Sequence, residues 1–158
     1  MAQKVELSRF KNYMLMVHRS VGSDLFRNLY ASVDGEETDI LRDGILSCAY
    51  FVSSVLFHCK LIDDLHTTVR GLEANLQRSG WNQIEAPKVG SVLVWEPTEF
   101  PDGGIRRHAG FYIGDAEAIS NRTDQRVPKV HSMNFETEGK YRAVEAIYWH
   151  ENFDEIDS

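Results

Sequence analysis

Apolar residues in the first half of the chain recur with the spacing of amphipathic helices. The most regular stretch covers residues 47–60, where one apolar stripe follows the positions i, i+3, i+4, i+7, i+8 and i+11. The stripe consists of Cys48, Phe51, Val52, Val55, Leu56 and Cys59. This pattern predicts a central helix with Ser47 as its N-cap, because the serine hydroxyl can accept from amides of the first turn. Cys48 would then begin the helix, where the helix dipole favours a thiolate over a thiol.

The rest of the chain predicts two more helices, followed by strands. Residues 4–18 and 65–79 are amphipathic at helical spacing, with Gly80 just past the second helix. Residues 25–33 fit either a helix or, with a turn at Asp34-Gly35, two short strands, and both interpretations stay open. Strands are predicted at residues 89–95, 108–114, 117–121, 129–135 and 142–150, with a polar loop at 96–107. Helices followed by strands predict an α+β fold with an antiparallel sheet of about five strands.

Composition and charge indicate the number of domains and argue against some classes of partner. The 158 residues suit a single domain, which we assign to residues 1–150, and we expect the acidic residues 151–158 to form a flexible tail. A net charge of −7 argues against nucleic acid and anionic membrane surfaces as partners. Neither a membrane-spanning apolar run nor a secretory leader is seen, so we expect a cytoplasmic protein or one released by another route.

The two cysteines carry different interpretations. A cysteine on an apolar stripe usually belongs to the core, and we keep that interpretation for Cys59. Cys48 differs because it begins the helix, and because His108 opens a later strand. A nucleophilic cysteine needs a base within reach, and the base needs a third group that holds its ring. Cys48 is therefore our candidate nucleophile and His108 our candidate base, with His131 in reserve; the simpler alternative for His108 is a surface histidine.

Three segments resemble the NlpC-type branch of the papain-like cysteine peptidases and amidases, and the related CHAP domains. They are Ser-Cys-Ala-Tyr-Phe-Val at 47–52, Gly-Ser-Val-Leu-Val-Trp at 90–95 and His-Ala-Gly-Phe-Tyr-Ile-Gly at 108–114. The third segment is the most specific, because it is similar to the family strand that bears the catalytic histidine. The chain departs from the family at Ser47, where an Asp is usual, at Ala49-Tyr50 in place of Ser-Gly, and at Ser91 in place of Asp.

The resemblance implies a papain-like α+β fold and a cysteine hydrolase that cleaves amide bonds, in peptides of cell-wall type such as muropeptides. It implies Cys48 as nucleophile, with its backbone amide donating to the oxyanion, and His108 as general base, and it implies no metal or cofactor. We expect the Cys48 sulfur within roughly 4 Å of a ring nitrogen of His108. Counting along the hairpin makes Ser120 the group that orients His108, whereas a two-residue Gly114-Asp115 turn would set Asn121 opposite it. Both alternatives stay open.

Two other functions also stay open. One is a binding or regulatory module that has this fold without turnover, which the altered residues around Cys48 allow. The other is an acyl-transferring relative that uses the same cysteine and histidine. A thiol-reactive probe that labels Cys48 at neutral pH would separate an active site from a relic, and product analysis would separate hydrolysis from transfer.

Overall fold

A computed structural model describes residues 2–155 and shows an α+β fold. The helices are α1 (Arg9–Arg19), α2 (Cys48–His58) and α3 (Val69–Arg78). The strands are β1 (Tyr30–Val33), β2 (Glu36–Asp39), β3 (Trp81–Gln83), β4 (Val92–Glu99), β5 (Ile105–Gly114), β6 (Glu117–Asn121), β7 (Pro128–Ser132) and β8 (Val144–His150). Strands β1 and β2 form a separate hairpin, and the other six form one antiparallel sheet in the order β3-β8-β4-β5-β6-β7.

The main sheet has six strands, one more than the sequence predicted. The additional strand is β3, which lies in a segment that we predicted as a loop and which pairs with β8 through Trp81↔His150. Trp81 fixes this edge strand, because its buried indole donates a hydrogen bond to the Leu61 carbonyl at 2.9 Å. A single anchoring tryptophan gives no alternating pattern, so the periodicity did not reveal this strand.

The structure also settles the segment that fitted either a helix or two strands. Residues 25–29 of this segment form neither helix nor strand, and residues 30–33 form β1 of the β1–β2 hairpin. The two-residue loop of the hairpin contains Asp34 and Gly35 at φ 51° and 86°. Positive φ at both loop positions is typical of the type I′ turns that suit the twist of paired strands.

The loop predicted over residues 96–107 is shorter than expected. The β4–β5 ladder resumes at Thr98↔Arg106 after an irregularity that contains Pro97. Proline is tolerated at such a bulge because its missing N–H costs no ladder hydrogen bond. The connection between the two strands is therefore only residues 100–104. As a result, β4 and β5 extend further beyond His108 than the sequence predicted.

Each face of the main sheet carries its own core. Helix α2 packs on the face formed by Val92, Val94, Ala109, Phe111 and Ile119. The opposite face carries a smaller cluster of Leu93, Trp95, Ala118 and Phe135. The predicted apolar stripe of α2 is confirmed for Phe51, Val52, Val55 and Leu56, which are fully buried. Because side chains alternate along a strand, β5 points Ala109 toward the helices and His108 toward Trp95.

The first helix begins later than predicted. It covers Arg9–Arg19 rather than residues 4–18, and Leu7, an apolar residue inside the predicted range, is exposed. The helix is held instead by Tyr13, whose buried hydroxyl donates to the Gly90 carbonyl at 2.7 Å.

The acidic end of the chain is packed rather than flexible as far as the structure describes it. Residues Glu151–Glu155 form a 3₁₀ helix, and Phe153 is buried with its ring 5.5 Å from that of Tyr13 and 5.1 Å from that of Trp149. One apolar side chain among the acidic ones is enough to attach this segment to the core. Residues 156–158 of the predicted tail lie outside the described residues. Within residues 2–155, the helices are too short or too polar to cross a membrane.

Candidate active site

Cys48 is the first residue of α2, as the sequence predicted. The predicted cap is wrong, however. Within residues 2–155 the hydroxyl of Ser47 has no hydrogen-bond partner, although it is fully buried. Ser47 has φ −96° and ψ 0°, whereas a capping serine needs extended backbone to bring its oxygen back over the first turn.

The Cys48 thiol lies beside β5. The backbone amides of Ala109 and Ala49 are the two that most favour its thiolate form, with a smaller effect from the amide of Cys48 itself. The Ala109 amide lies beyond the β5–β6 ladder, whose last pair is Phe111↔Ile119, while β5 stays paired with β4 on its other side. Because Ala109 directly follows His108, the thiol of Cys48 lies close to the backbone next to His108.

Burial dominates the electrostatics of this thiol. Desolvation raises the pKa of Cys48, and it outweighs the opposite effects of the two amides and of the positive charge on Arg142. The residue as a whole is half-buried and lines a cavity. The prediction of a thiol with a depressed pKa, lowered mainly by an ion pair with His108 and less by the helix start, is therefore wrong. Desolvation outweighs the helix start, and a buried neutral His108 supplies no ion pair.

His108 is held on the other face of β5. Its Nε2 lies 2.8 Å from the Ser120 hydroxyl, and its ring lies 5.3 Å from the indole of Trp95 between centroids. Burial, followed by the positive charge of Arg142, lowers the pKa of His108 well below its ordinary value. The imidazole is therefore neutral at pH 7 and able to accept a proton.

Ser120 joins His108 to a second buried histidine. The Ser120 hydroxyl lies 2.7 Å from Nε2 of His131, and Nδ1 of His131 lies 2.8 Å from the Ser132 carbonyl. Phe135 stacks on the His131 ring at 4.1 Å between centroids and an interplanar angle of 13°. Burial lowers the pKa of His131 to about 4. The reserve candidate of the sequence analysis thus belongs to the same hydrogen-bonded chain as His108.

Asn121 points away from that chain. The β5–β6 register continues to set Asn121 opposite Ala109 on the helix side, not opposite His108. Its Nδ2 donates to the Gly44 carbonyl at 2.9 Å, and within residues 2–155 its buried Oδ1 has no partner. The alternative turn is wrong because the hairpin loop is Asp115-Ala116, at φ 53° and 57°, rather than Gly114-Asp115.

Cys48 and His108 line one cavity of about 380 Å³. Its apolar wall comes from Ile40, Ile45, Leu46, Val69 and Phe100, and its polar part from Thr67, Thr68, Thr123, Arg70, Arg106 and Arg107. A larger cavity of about 770 Å³ lies between α1 and the end of α2, beside Cys59. We place the candidate site in the smaller cavity because both the cysteine at a helix start and a histidine whose ring is held by Ser120 line it. Within residues 2–155 the side chains of Cys48 and His108 make no hydrogen bond to each other.

The charged side chains that line this cavity are all positive. Three arginines line it, and no aspartate or glutamate does among residues 2–155. Arg106 pairs with Asp102 and Arg107 pairs with Glu73, while Arg70 on the first turn of α3 is exposed and takes part in none of the ion pairs of the described chain. An anionic group could therefore bind here without displacing an existing partner of Arg70.

Arg142 is a site residue that sequence reasoning missed. Its guanidinium donates to the carbonyls of Glu96 at 2.9 Å and Arg106 at 3.0 Å, which fixes the charge beside the strand ends. From there it lowers the pKa of both Cys48 and His108. No motif marks this arginine, because its position depends on β4 lying between β8 and β5.

Within residues 2–155, no group of three or more His, Cys, Asp or Glu side chains is arranged to hold a metal ion. The chain matches no protein-family model, and no curated protein matches it.

Proposed function

We propose that this protein is a cysteine hydrolase of papain-like, NlpC-type fold that cleaves amide bonds. One observation carries the proposal: Cys48 at the start of α2 and His108 on β5 line the same cavity, and Ser120 holds the ring of His108. A helix-start cysteine, a base and an orienting group are the three parts that nucleophilic catalysis by a thiol requires. A central helix packed on an antiparallel sheet is also the architecture that the sequence resemblance implies.

The pKa values favour general-base catalysis over a preformed ion pair. Because burial raises the pKa of Cys48 and lowers that of His108, thiol and imidazole are both neutral at pH 7. His108 would take the thiol proton as the sulfur attacks the amide carbonyl carbon, and would give it to the leaving amine as the C–N bond breaks. Water would then attack the thioester, His108 would accept the proton from water, and the acid would leave as the thiol is restored. The backbone amide of Cys48 would donate to the oxyanion.

The cavity supports an acyl or peptide substrate that carries a carboxylate. Its apolar wall suits a hydrocarbon side chain, and its arginines suit an anionic group in an otherwise acidic protein of net charge −7. Cell-wall-type peptides such as muropeptides carry free carboxylates beside their amide bonds. We therefore propose them as the substrate class, with Arg70 as the residue that binds the carboxylate.

A bifunctional reagent tests the geometry. We expect 1,3-dibromoacetone, whose reactive carbons are separated by a single carbonyl, to join Cys48 to His108 in the Cys59→Ser protein, as seen in the mass of the linked peptides. His108→Ala should leave Cys48 singly alkylated. Labelling of Cys48 that never reaches His108 would contradict the proposed site.

Amine release tests the activity. Muropeptides and short acyl-peptides should be cleaved by the wild type and by Cys59→Ser, and at least about a thousandfold more slowly by Cys48→Ala. Arg70→Gln should raise KM for carboxylate-bearing substrates and not for their amide analogues, with Arg78→Gln on the same helix as the matched control. Binding of these peptides without cleavage would favour the non-catalytic module, and transfer of the acyl group to an added amine without free acid would favour an acyltransferase.

A further inference from the structure

We infer that His131 is a positioning residue: through Ser120 it fixes the proton order of the chain His108–Ser120–His131, and it makes Nδ1 the basic nitrogen of His108. The catalytic consequence rests on the proposed function, whereas the proton order follows from the hydrogen bonds and from the neutral form of the buried His131.

At the His131 end of this hydrogen-bonded chain, the donor and the acceptor are fixed. The Ser132 carbonyl can only accept, so Nδ1 of His131 at 2.8 Å must be the donor. A neutral imidazole carries a single N–H, which leaves Nε2 of His131 as an acceptor. His131 is neutral at pH 7 because its burial lowers its pKa to about 4.

Ser120 passes that polarity to His108. A serine hydroxyl has one hydrogen, and Nε2 of His131 at 2.7 Å takes it. Toward His108 the same oxygen can then only accept, so Nε2 of His108 at 2.8 Å must carry its proton. The lone pair of the neutral His108 ring is therefore on Nδ1. The opposite tautomer of His108 would set two lone pairs against each other across this short contact.

Burial and aromatic neighbours keep the three hydrogen-bonded side chains in this arrangement. Ser120 is fully buried, and His108 and His131 are each only 5% exposed, so water does not compete for their hydrogen bonds. Trp95 contacts both imidazoles, and Phe135 stacks on His131.

A neighbouring glycine leaves room for the central serine. A Cβ on Gly110 would lie 2.8 Å from Cβ of Ser120 and 3.1 Å from the Trp95 ring. The Gly two residues after His108 is thus needed to seat Ser120 between the two rings.

Replacement of His131 should allow the hydrogen bond between Ser120 and His108 to reverse its direction. The Ser120 hydroxyl could then turn and donate to Nε2 of His108, which would move the His108 proton to Nδ1 and remove the base. A glutamine at position 131 can replace both functions, because its oxygen can accept from Ser120 while its amide donates to the Ser132 carbonyl. A phenylalanine keeps the ring volume and can do neither.

Nitrogen NMR of the full chain with ¹⁵N-labelled histidine tests this order at pH 7 without requiring turnover. We expect the His108 proton on Nε2 and the His131 proton on Nδ1 in the wild type. His131→Phe should move His108 toward the Nδ1–H tautomer, and His131→Gln should keep Nε2–H. His150→Gln is the matched control, because His150 is buried at another strand end and bonds the Ser79 carbonyl. Nδ1–H on His108 in the wild type, or an unchanged tautomer in His131→Phe, would overturn the inference.

Kinetics then test the consequence for catalysis. His131→Phe should lower kcat at least about tenfold with KM unchanged, and His131→Gln should restore most of the loss, which a purely structural role would not predict. Equal kcat in the wild type and His131→Phe would overturn the positioning role. A wild type with the expected tautomers that cleaves no amide would contradict the proposed function and support the proton order.

Discussion

At the scale of single residues, Cys48 shows how burial and local dipoles act in opposite directions on one group. The amide of Ala109, the amide of Ala49 and the charge of Arg142 all favour the thiolate, yet desolvation raises the pKa of the thiol. The thiol is therefore protonated at pH 7, and under the proposed function it would need His108 to remove its proton during attack.

Alkylation measures this balance directly. In the Cys59→Ser protein, we expect the iodoacetamide reaction at Cys48 to follow a pKa above the ordinary thiol value of about 8.5. Arg142→Met should slow the reaction at pH 8 by about three- to tenfold, because loss of the cation disfavours the thiolate. Arg78→Met, far from the cavity, serves as the control. A midpoint at or below about pH 8 would show that burial does not control this thiol.

At the scale of elements, the β5–β6 hairpin decides which side chains meet. Its loop at Asp115-Ala116 sets a register in which Ser120 faces His108 and Asn121 faces the helix side. A shift by one residue would exchange the two side chains between the faces of the sheet.

Replacement of Ser120 and replacement of Asn121 should therefore have different effects on activity. Ser120→Ala should lower kcat by roughly ten- to a hundredfold, and it should also lower the free energy of unfolding by about 1–3 kcal/mol, because its buried hydroxyl bonds both His108 and His131. Asn121 lies on the helix side, so its replacement should leave kcat nearly unchanged. Asn121→Ala should lower the free energy of unfolding by about 1–3 kcal/mol, because it removes the buried bond to the Gly44 carbonyl. Urea unfolding and steady-state kinetics on both variants separate these effects. An Asn121→Ala protein of normal stability and low kcat would contradict the register.

At the scale of the whole molecule, the sheet separates two cores, and the smaller one encloses the paired histidines. His108 and His131 contact Trp95 and are 5% exposed, and the cations Arg122 and Arg142 lie near them. Both histidines are consequently buried in the neutral form, which connects the protonation of this face to the stability of the fold.

The fold should therefore weaken in mild acid. The unfolded chain binds protons at these histidines below about pH 6.5, whereas the native chain resists them. The free energy of unfolding should fall from pH 6.5 toward pH 4, by up to about 3 kcal/mol for His131 alone. Arg122 lowers the pKa of His131 and Glu138 raises it, so both enter the measured slope. Urea titrations at pH 7, 5.5 and 4.5 should show the loss, and His131→Phe should reduce it. Equal stability at pH 7 and 4.5 would contradict neutral burial.

The sequence by itself determined the features that depend on neighbours along the chain. The spacing from Cys48 to Leu56 produced α2 and its buried face, and the apolar run around Val92 produced a central strand. The histidine strand and its return strand followed from the same kind of local pattern. Periodicity predicts these elements because each reports how a single segment meets a core.

Only the tertiary structure decided what depends on distant partners. The choice of Ser120 over Asn121 depended on one turn, and the link to His131 depended on β7 lying beside β6. The raised pKa of Cys48 likewise reflects how much of the protein covers its sulfur. Register, burial and charge proximity are sums over residues far apart in sequence, so no local pattern encodes them.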